Sequence, residues 1–327
     1  MIQFILRRLA GTLPVLLGVT FLVVAATKLI PGSPGSMRGQ KLGKAEIEAI
    51  DKKYGYDRPF PVQYGRYVTR VATGDLGDCW IHERPVWEEL KERFPATIEL
   101  ACCAMVIATV LGVTLGVVAA VKPRGFVDWA IMLVALVGLS MPIFWLGVLL
   151  QLQFPINQRL DYDNINFPEW SGFYVVDAIA ARDGAQLLEV LRHLALPSLA
   201  LATIPLATTA RLTRSSLLET LQQDYIRTAR AKGLPPHRVV LKHGLRNALI
   251  PIVTALGLQL AALLGGAVLT ETVFSWPGVG SYIVEAAVNK DLPALQGAVL
   301  VVSLVYIVAN LLVDLSYGLI DPRVRLE

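Results

Sequence analysis

The sequence predicts an all-α integral membrane protein with six transmembrane helices and a folded external loop after the first. Three observations predict it. Only 17% of the 327 residues are charged and 54% are hydrophobic, whereas a soluble domain carries about 25% charged residues. The deficit is concentrated in long uncharged runs, and crossing the hydrocarbon core takes about 20 mostly apolar residues. The basic residues gather in alternate connections between those runs. Lipid-buried helices share one continuous bundle, so the chain reads as one membrane body in two parts. Residues 1–93 hold the first span and a large external loop, and residues 94–327 hold a five-helix core.

The expected spans are residues 9–30, 97–121, 129–152, 194–212, 249–273 and 294–319. Arg7-Arg8 before the first span imitates a secretory leader. Lys28 and Pro31-Gly32-Ser33-Pro34 give no small-residue cleavage site, so an uncleaved span is expected. Gly112 and Gly116 stand at G-x-x-x-G spacing in the second span and read as close helix packing. Pro14, Pro142, Pro197 and Pro205 lie in or near spans, where neighbouring helices can satisfy the freed carbonyls.

Orientation follows from the basic residues. With the N-terminus inside, the inner segments hold Arg7, Arg8, Lys122, Arg124, eight basic residues from Arg211 to Arg246, and Arg323 and Arg325. The short outer segments hold only Arg159, Arg182, Arg192 and Lys290. Both termini are therefore expected in the cytoplasm, with the chain in the inner (plasma) membrane.

The loop of residues 31–95 reads as a folded cap. Residues 45–54 have helical composition, Arg58-Pro59-Phe60-Pro61 breaks it, and residues 63–71 and 85–93 suit two more short helices. The second outer loop is acidic and aromatic, with Asp161, Asp163, Glu169, Trp170, Phe173, Tyr174, Asp177 and Asp183. Cys79, Cys102 and Cys103 have no metal-ligand spacing and an odd count, so they read as structural.

The connection between spans four and five, residues 213–248, is the most informative. Asp224 can cap a short helix over residues 225–232. Gly233 can end it in the left-handed conformation, and Pro235-Pro236 forbids continuation. The result is a short basic helix across the membrane face. Ala229, Ala231 and Gly233 give it a low profile that another protein could approach. A loop that only sets orientation explains the charge, but not a capped, Gly-terminated helix of small residues.

These residues carry a resemblance. Asp224-Tyr225-Ile226-Arg227-Thr228-Ala229-Arg230-Ala231-Lys232-Gly233 resembles the cytoplasmic loop of binding-protein-dependent ABC transporter permeases of the peptide/nickel family. It departs from the general Glu-Ala-Ala opening in the way the peptide branch does. The resemblance continues through His243, Arg246-Asn247-Ala248, Pro251, Glu271-Thr272-Val273-Phe274-Ser275-Trp276-Pro277-Gly278-Val279-Gly280, Asn310 to Asp314, and Asp321 to Arg325. Phe4 to Leu9, Ile30-Pro31-Gly32, Pro85 to Glu89 and Ser140 to Trp145 look most like the first dipeptide permease subunit. It implies a type I ABC importer permease fold and a transmembrane channel subunit for di- or oligopeptides. The implied partners are a second homologous permease, two ATPase subunits and an extracytoplasmic binding protein. Asp224, Tyr225, Thr228, Ala229, Ala231 and Gly233 would form the helix that meets an ATPase. Nickel chelate, glutathione and haem importers share the scaffold.

The chain itself reads as no enzyme and no nucleotide binder. Gly39-Gln40-Lys41-Leu42-Gly43-Lys44-Ala45 is one residue short of a phosphate loop and lacks its hydroxyl, so ATP and magnesium are expected on the partner ATPases. His82, His193, His237 and His243 are scattered without zinc spacing. The basic loop lacks the aromatic interleaving of a nucleic-acid surface. Ionisable groups inside spans usually face the bundle interior. Glu99 suits either the translocation path or a satisfied structural carboxylate, Gln259 and Glu271 are further path candidates, and Asp314 reads as structural. An ion-driven secondary transporter would show inverted repeats and midplane charge, and neither is evident. A membrane subunit that transports nothing is the remaining alternative.

Overall fold

The computed structural model of the chain describes residues 2–26, 45, 48, 52, 57–154, 159–160 and 170–320. Regular structure among them is helical, apart from one isolated bridge between Asp78 and Pro85. The expected helix at residues 45–54 lies outside the described residues except Ala45, Glu48 and Lys52. Residues 161–169, residues 39–44 and the motif at residues 321–325 lie outside them entirely.

α1 (Ile2–Ala26) is followed by α2 (Phe60–Ala72), which begins directly after Pro59 with Pro61 in its first turn. The expected break at Arg58 to Pro61 is thus a helix start. Proline is accepted there because its missing N–H would have no helical partner anyway. α3 (Val86–Val121) runs 36 residues, unbroken by Pro95. The separate short helix expected at residues 85–93 is its first part, and the line between residues 93 and 94 falls inside it.

The third expected span is not one helix. α4 (Phe126–Ser140) and α5 (Ile143–Gln153) meet at a bend of 102°. Pro142 causes it: a proline disfavours helical backbone in the residue before it, and Met141 is extended at φ −83°, ψ 125°. α6 (Tyr174–Ala180) precedes α7 (Gly184–Leu221), 38 residues that contain Pro197 and Pro205. Asp183 starts α7, its carboxylate accepting from the Ala185 and Gln186 N–H groups at 3.0 Å each, which satisfies two orphan donors of the first turn.

After α8 (Asp224–Ala231), Pro236 opens a continuous helical leg: α9 (Pro236–Arg238), a π-helical segment Val239–Leu245 and α10 (Arg246–Gly266). The fifth expected span, residues 249–273, ends early. Ala267 interrupts it and α11 (Val268–Val273) is a separate short helix. α12 (Val279–Val288) and α13 (Leu292–Ile320) complete the chain. Against six expected spans, four stretches among the described residues are long and apolar enough to cross a membrane, or five if α4–α5 counts as one. α1 runs 25 residues, and its stretch Gly11–Ala26 is apolar.

α3 and α7 form the centre and run parallel, since Gly112 faces Thr209 and Gly116 faces Thr213. A Cβ on Gly116 would lie 2.5 Å from Thr213 Cβ and 2.6 Å from the Ala210 carbonyl oxygen. Only glycine permits that approach, so the G-x-x-x-G spacing serves packing within this chain. Leu100, Ala104, Leu194 and Leu201 fill the interface, with Leu263 of α10 and Trp276 closing it. α13 packs on α10, and α1 lies along α13.

The bundle has two distinct ends. One end holds the turn at residues 122–125 and the loop at residues 222–245, and is called here the basic end. The opposite, cap end joins residues 76–93 to the α12–α13 turn through Cys79, Val86, Leu90, Val279, Tyr282 and Ala294. Asp291, almost fully buried, accepts from the Trp80 and Ile81 N–H groups at 2.5 and 3.1 Å and from Cys79 Sγ at 3.2 Å. Its other oxygen accepts from the Ala294 N–H at 3.1 Å. Burial pushes the Cys79 thiol pKa up, which keeps it a neutral donor. Tyr67 of α2 donates to the Gln296 carbonyl at 3.2 Å, and burial pushes its phenol up to about 12.

Candidate functional site

At the basic end, Gln223 is extended (φ −71°, ψ 151°) and opens α8. The expected Asp224 cap is not made: Gln223 holds the cap position and no side chain caps. Asp224 sits in the first turn, where its charge complements the helix dipole, and accepts from Arg227 Nη1 at 3.1 Å. Ile226 and Ala229 turn inward, at 0% and 7% exposure, onto Leu221, Leu234 and Val239. Ala229, expected on an outward low-profile surface, therefore packs against its own chain. Asp224, Tyr225, Thr228 and Ala231 are exposed, together with Arg227 and Arg230.

The end of α8 is fixed by backbone. Gly233 adopts φ +75°. Its N–H donates to the Arg230 carbonyl at 2.9 Å, and the Leu234 N–H donates to the Ala229 carbonyl at 3.3 Å. These paired bonds are the Schellman arrangement, completed by the apolar contact of Leu234 with the helix it follows. Nothing lies within 4 Å of a Cβ built on Gly233, so the site demands the conformation rather than the space.

α8 is also tied to the leg that follows it. Asn247 Nδ2 donates to Tyr225 Oη at 2.7 Å, and Tyr225 Oη donates to the His243 carbonyl at 3.5 Å. Gly244 lets the π-helical segment close on α7: its Cβ would meet Leu217 Cδ1 at 3.0 Å and Leu221 Cδ2 at 3.1 Å. Nearby, Arg214 grips the Asp128 carboxylate in a fork at 2.5 and 2.7 Å, and Asp128 accepts from the Arg124 N–H at 2.8 Å. That ties the α3–α4 turn to α7. The sequence reading counted Arg214 only as orienting charge and missed both links. They join residues 22 and 86 positions apart, beyond any helical spacing.

The path candidates lie elsewhere. Glu271 is fully buried: Oε1 accepts from Thr97 Oγ1 at 2.8 Å and Oε2 from the Ser281 N–H at 3.0 Å. Thr97 Oγ1 in turn accepts from the Val279 N–H at 2.9 Å. A Cβ on Gly278 would overlap Glu271 Oε2, and one on Gly280 would lie 2.6 Å from Val268 Cα. Glu99 accepts from Arg159 Nη2 at 2.9 Å and from the Val175 N–H at 2.7 Å. Arg159 also donates to the Gly172 carbonyl at 2.6 Å and lies 3.5 Å over the Tyr174 ring. Both carboxyl groups are thus satisfied by this chain's own donors, as buried polar groups must be. Gln259 sits half-buried on α10, and its Oε1 has no hydrogen-bond partner among the described residues. Asp314 is half-buried on α13.

Comparison with known proteins places this architecture. Residues 112–326 match the family model described as binding-protein-dependent transport system inner membrane component, and residues 1–101 match the model of its N-terminal part. The chain is 44% identical over 336 residues to the di/tripeptide transport system permease protein DppB of Pseudomonas aeruginosa, covering 99% of each chain. It is 44% identical over 338 residues to the dipeptide transport system permease protein DppB of Escherichia coli, again covering 99% of each. It is 40% identical over 326 residues to the glutathione transport system permease protein GsiC of Pectobacterium atrosepticum, with 99% of each covered. The chain belongs to the family of binding-protein-dependent transport system inner membrane components, the ABC permeases it resembles in its motifs.

Proposed function

We propose that this chain is a channel-forming subunit of an ATP-driven importer that moves di- and oligopeptides into the cytoplasm. The observation that carries the reading is α8. A short helix with an apolar underside seated on its own chain and a polar exposed face, held at the basic end of a permease, has the form of a docking surface. Its partners are a second homologous permease, two ATPase subunits that hold ATP and magnesium, and an extracytoplasmic binding protein received by the cap. The full-length identity to relatives named for dipeptides supports the substrate class. Reconstitution with the ATPases and binding protein tests it: dipeptide should stimulate ATP hydrolysis and be taken up only with ATP. Uptake that survives ATP removal and collapses with the ion gradient would overturn it. Glutathione is the second reading, favoured by the relative at 40% identity, and competing uptake of the two substrates separates them.

The proposed orientation puts both termini and residues 211–246 in the cytoplasm, following the basic residues. In sealed cells an impermeant thiol reagent should label Phe60→Cys and Trp170→Cys and miss Arg230→Cys. Labelling at position 230 would reverse the topology.

A further inference from the structure

We infer that the Tyr225–Asn247 hydrogen bond is the link that carries displacement of α8 into α10, so that both are positioning residues for transport. The inference rests on the importer reading above.

Besides the Gly233–Leu234 turn that ends it, three attachments hold α8 to the rest of the chain. Toward α7 it has the Gln222–Gln223 turn, with Gln223 extended. Beneath it lies an apolar seat of Leu221, Leu234 and Val239 around Ile226 and Ala229. Such contacts are non-directional and allow a short helix to slide or roll. The third attachment is the Tyr225 hydroxyl, which accepts from Asn247 at 2.7 Å and donates to the His243 carbonyl at a longer 3.5 Å; the shorter bond has a fixed direction and length.

Its position matters more than its strength. Val239, in the seat, opens the π-helical segment, and Asn247 lies just past its end in the first turn of α10. π-helical turns are rare and often mark functional sites. A push delivered to the seat alone would enter the leg at this irregular segment. The Tyr225–Asn247 bond bridges the segment and reaches the regular helix directly. The outward face at Arg227 and Thr228, where a partner would dock, takes no part in it.

The test uses the whole complex in vesicles, with ATP hydrolysis, ATPase co-purification and peptide uptake read together. Tyr225→Phe removes one hydroxyl. With it go the bond from Asn247 and the longer one to the His243 carbonyl, and uptake per ATP should fall at least about fivefold, the worth of one hydrogen bond of about 1 kcal/mol. Asn247→Leu, which lies off α8, should leave assembly and basal hydrolysis within about twofold while uptake per ATP falls about fivefold, and the double variant should be no worse than Tyr225→Phe alone, since the two act as one unit. Asn247→Asp, which can accept from the Tyr225 hydroxyl, should restore most of the ratio. A wild-type ratio in Tyr225→Phe or Asn247→Leu, additive losses, or loss of ATPase binding in Asn247→Leu would overturn the link. The importer reading fails separately, if the wild-type complex takes up peptide without ATP.

Discussion

Gly233→Val is expected to abolish uptake while the chain still reaches the membrane at its normal level. The backbone at Gly233 is left-handed at φ +75°. A side chain there costs about 1–2 kcal/mol, and a β-branched one is a genuine outlier. The chain can relieve that strain by abandoning the left-handed turn. It would then lose the Gly233 to Arg230 and Leu234 to Ala229 bonds and draw Leu234 off the seat of α8. The spans are untouched, so insertion should hold. Gly233→Asn should keep most activity, because Asn tolerates this region. Gly233→Ala should fall between, since space is open and only the backbone objects. The measurements are membrane level by immunoblot, ATPase co-purification and uptake. Wild-type uptake in Gly233→Val would show that α8 needs no defined end and is a topological anchor. Ala229→Trp should also lose uptake, for a different reason: at 7% exposure its side chain would lift α8 from its seat.

The parts of this loop that the sequence revealed are those written in local chemistry. Gly233 before Pro235-Pro236 marks a helix stop by conformation alone, and φ +75° agrees. The inward face of Ala229 was not legible. On an eight-residue helix, small residues suit a close partner and a close neighbour equally, and only the fold chooses. Asp224 shows a similar limit, because a capping residue one position early is equally at home in the first turn. Prolines divided the same way. Pro142 bends its helix, while Pro95, Pro197 and Pro205 do not break theirs. Neighbouring helices can repair a proline inside a bundle, and composition does not report neighbours. The Glu271–Thr97 pair spans 174 residues, so nothing local could announce it. Intramembrane charge points to transport by default, and which donors within the chain meet Glu99 and Glu271 is visible only in the fold.

That network carries the second large expectation. Glu271→Ala should lower the amount of folded protein sharply, whatever it does to transport. The substitution strands the Ser281 N–H and the Thr97 hydroxyl in a buried site, at about 1–3 kcal/mol each. It also frees the turn at Gly278, which sits too close to the carboxyl group to carry any side chain. Trp276, whose indole N–H donates to the Ala96 carbonyl at 2.9 Å, is held by the same turn and closes the α3–α7 core. Glu271→Gln should be milder, since its one carbonyl oxygen can still accept from one of the two donors while its amide faces the other. Thr97→Val should resemble it, because it removes the donor to Glu271 and the acceptor for Val279 together. Thermal unfolding in detergent and membrane level rank the three, with Glu271→Ala lowest. A path residue behaves otherwise: its loss alters which peptides cross and leaves folding alone. If Glu271→Ala melts with the wild-type protein and changes only uptake or peptide preference, Glu271 serves the path. The hydrogen bonds to Thr97 and Ser281 would then be a resting state that transport breaks.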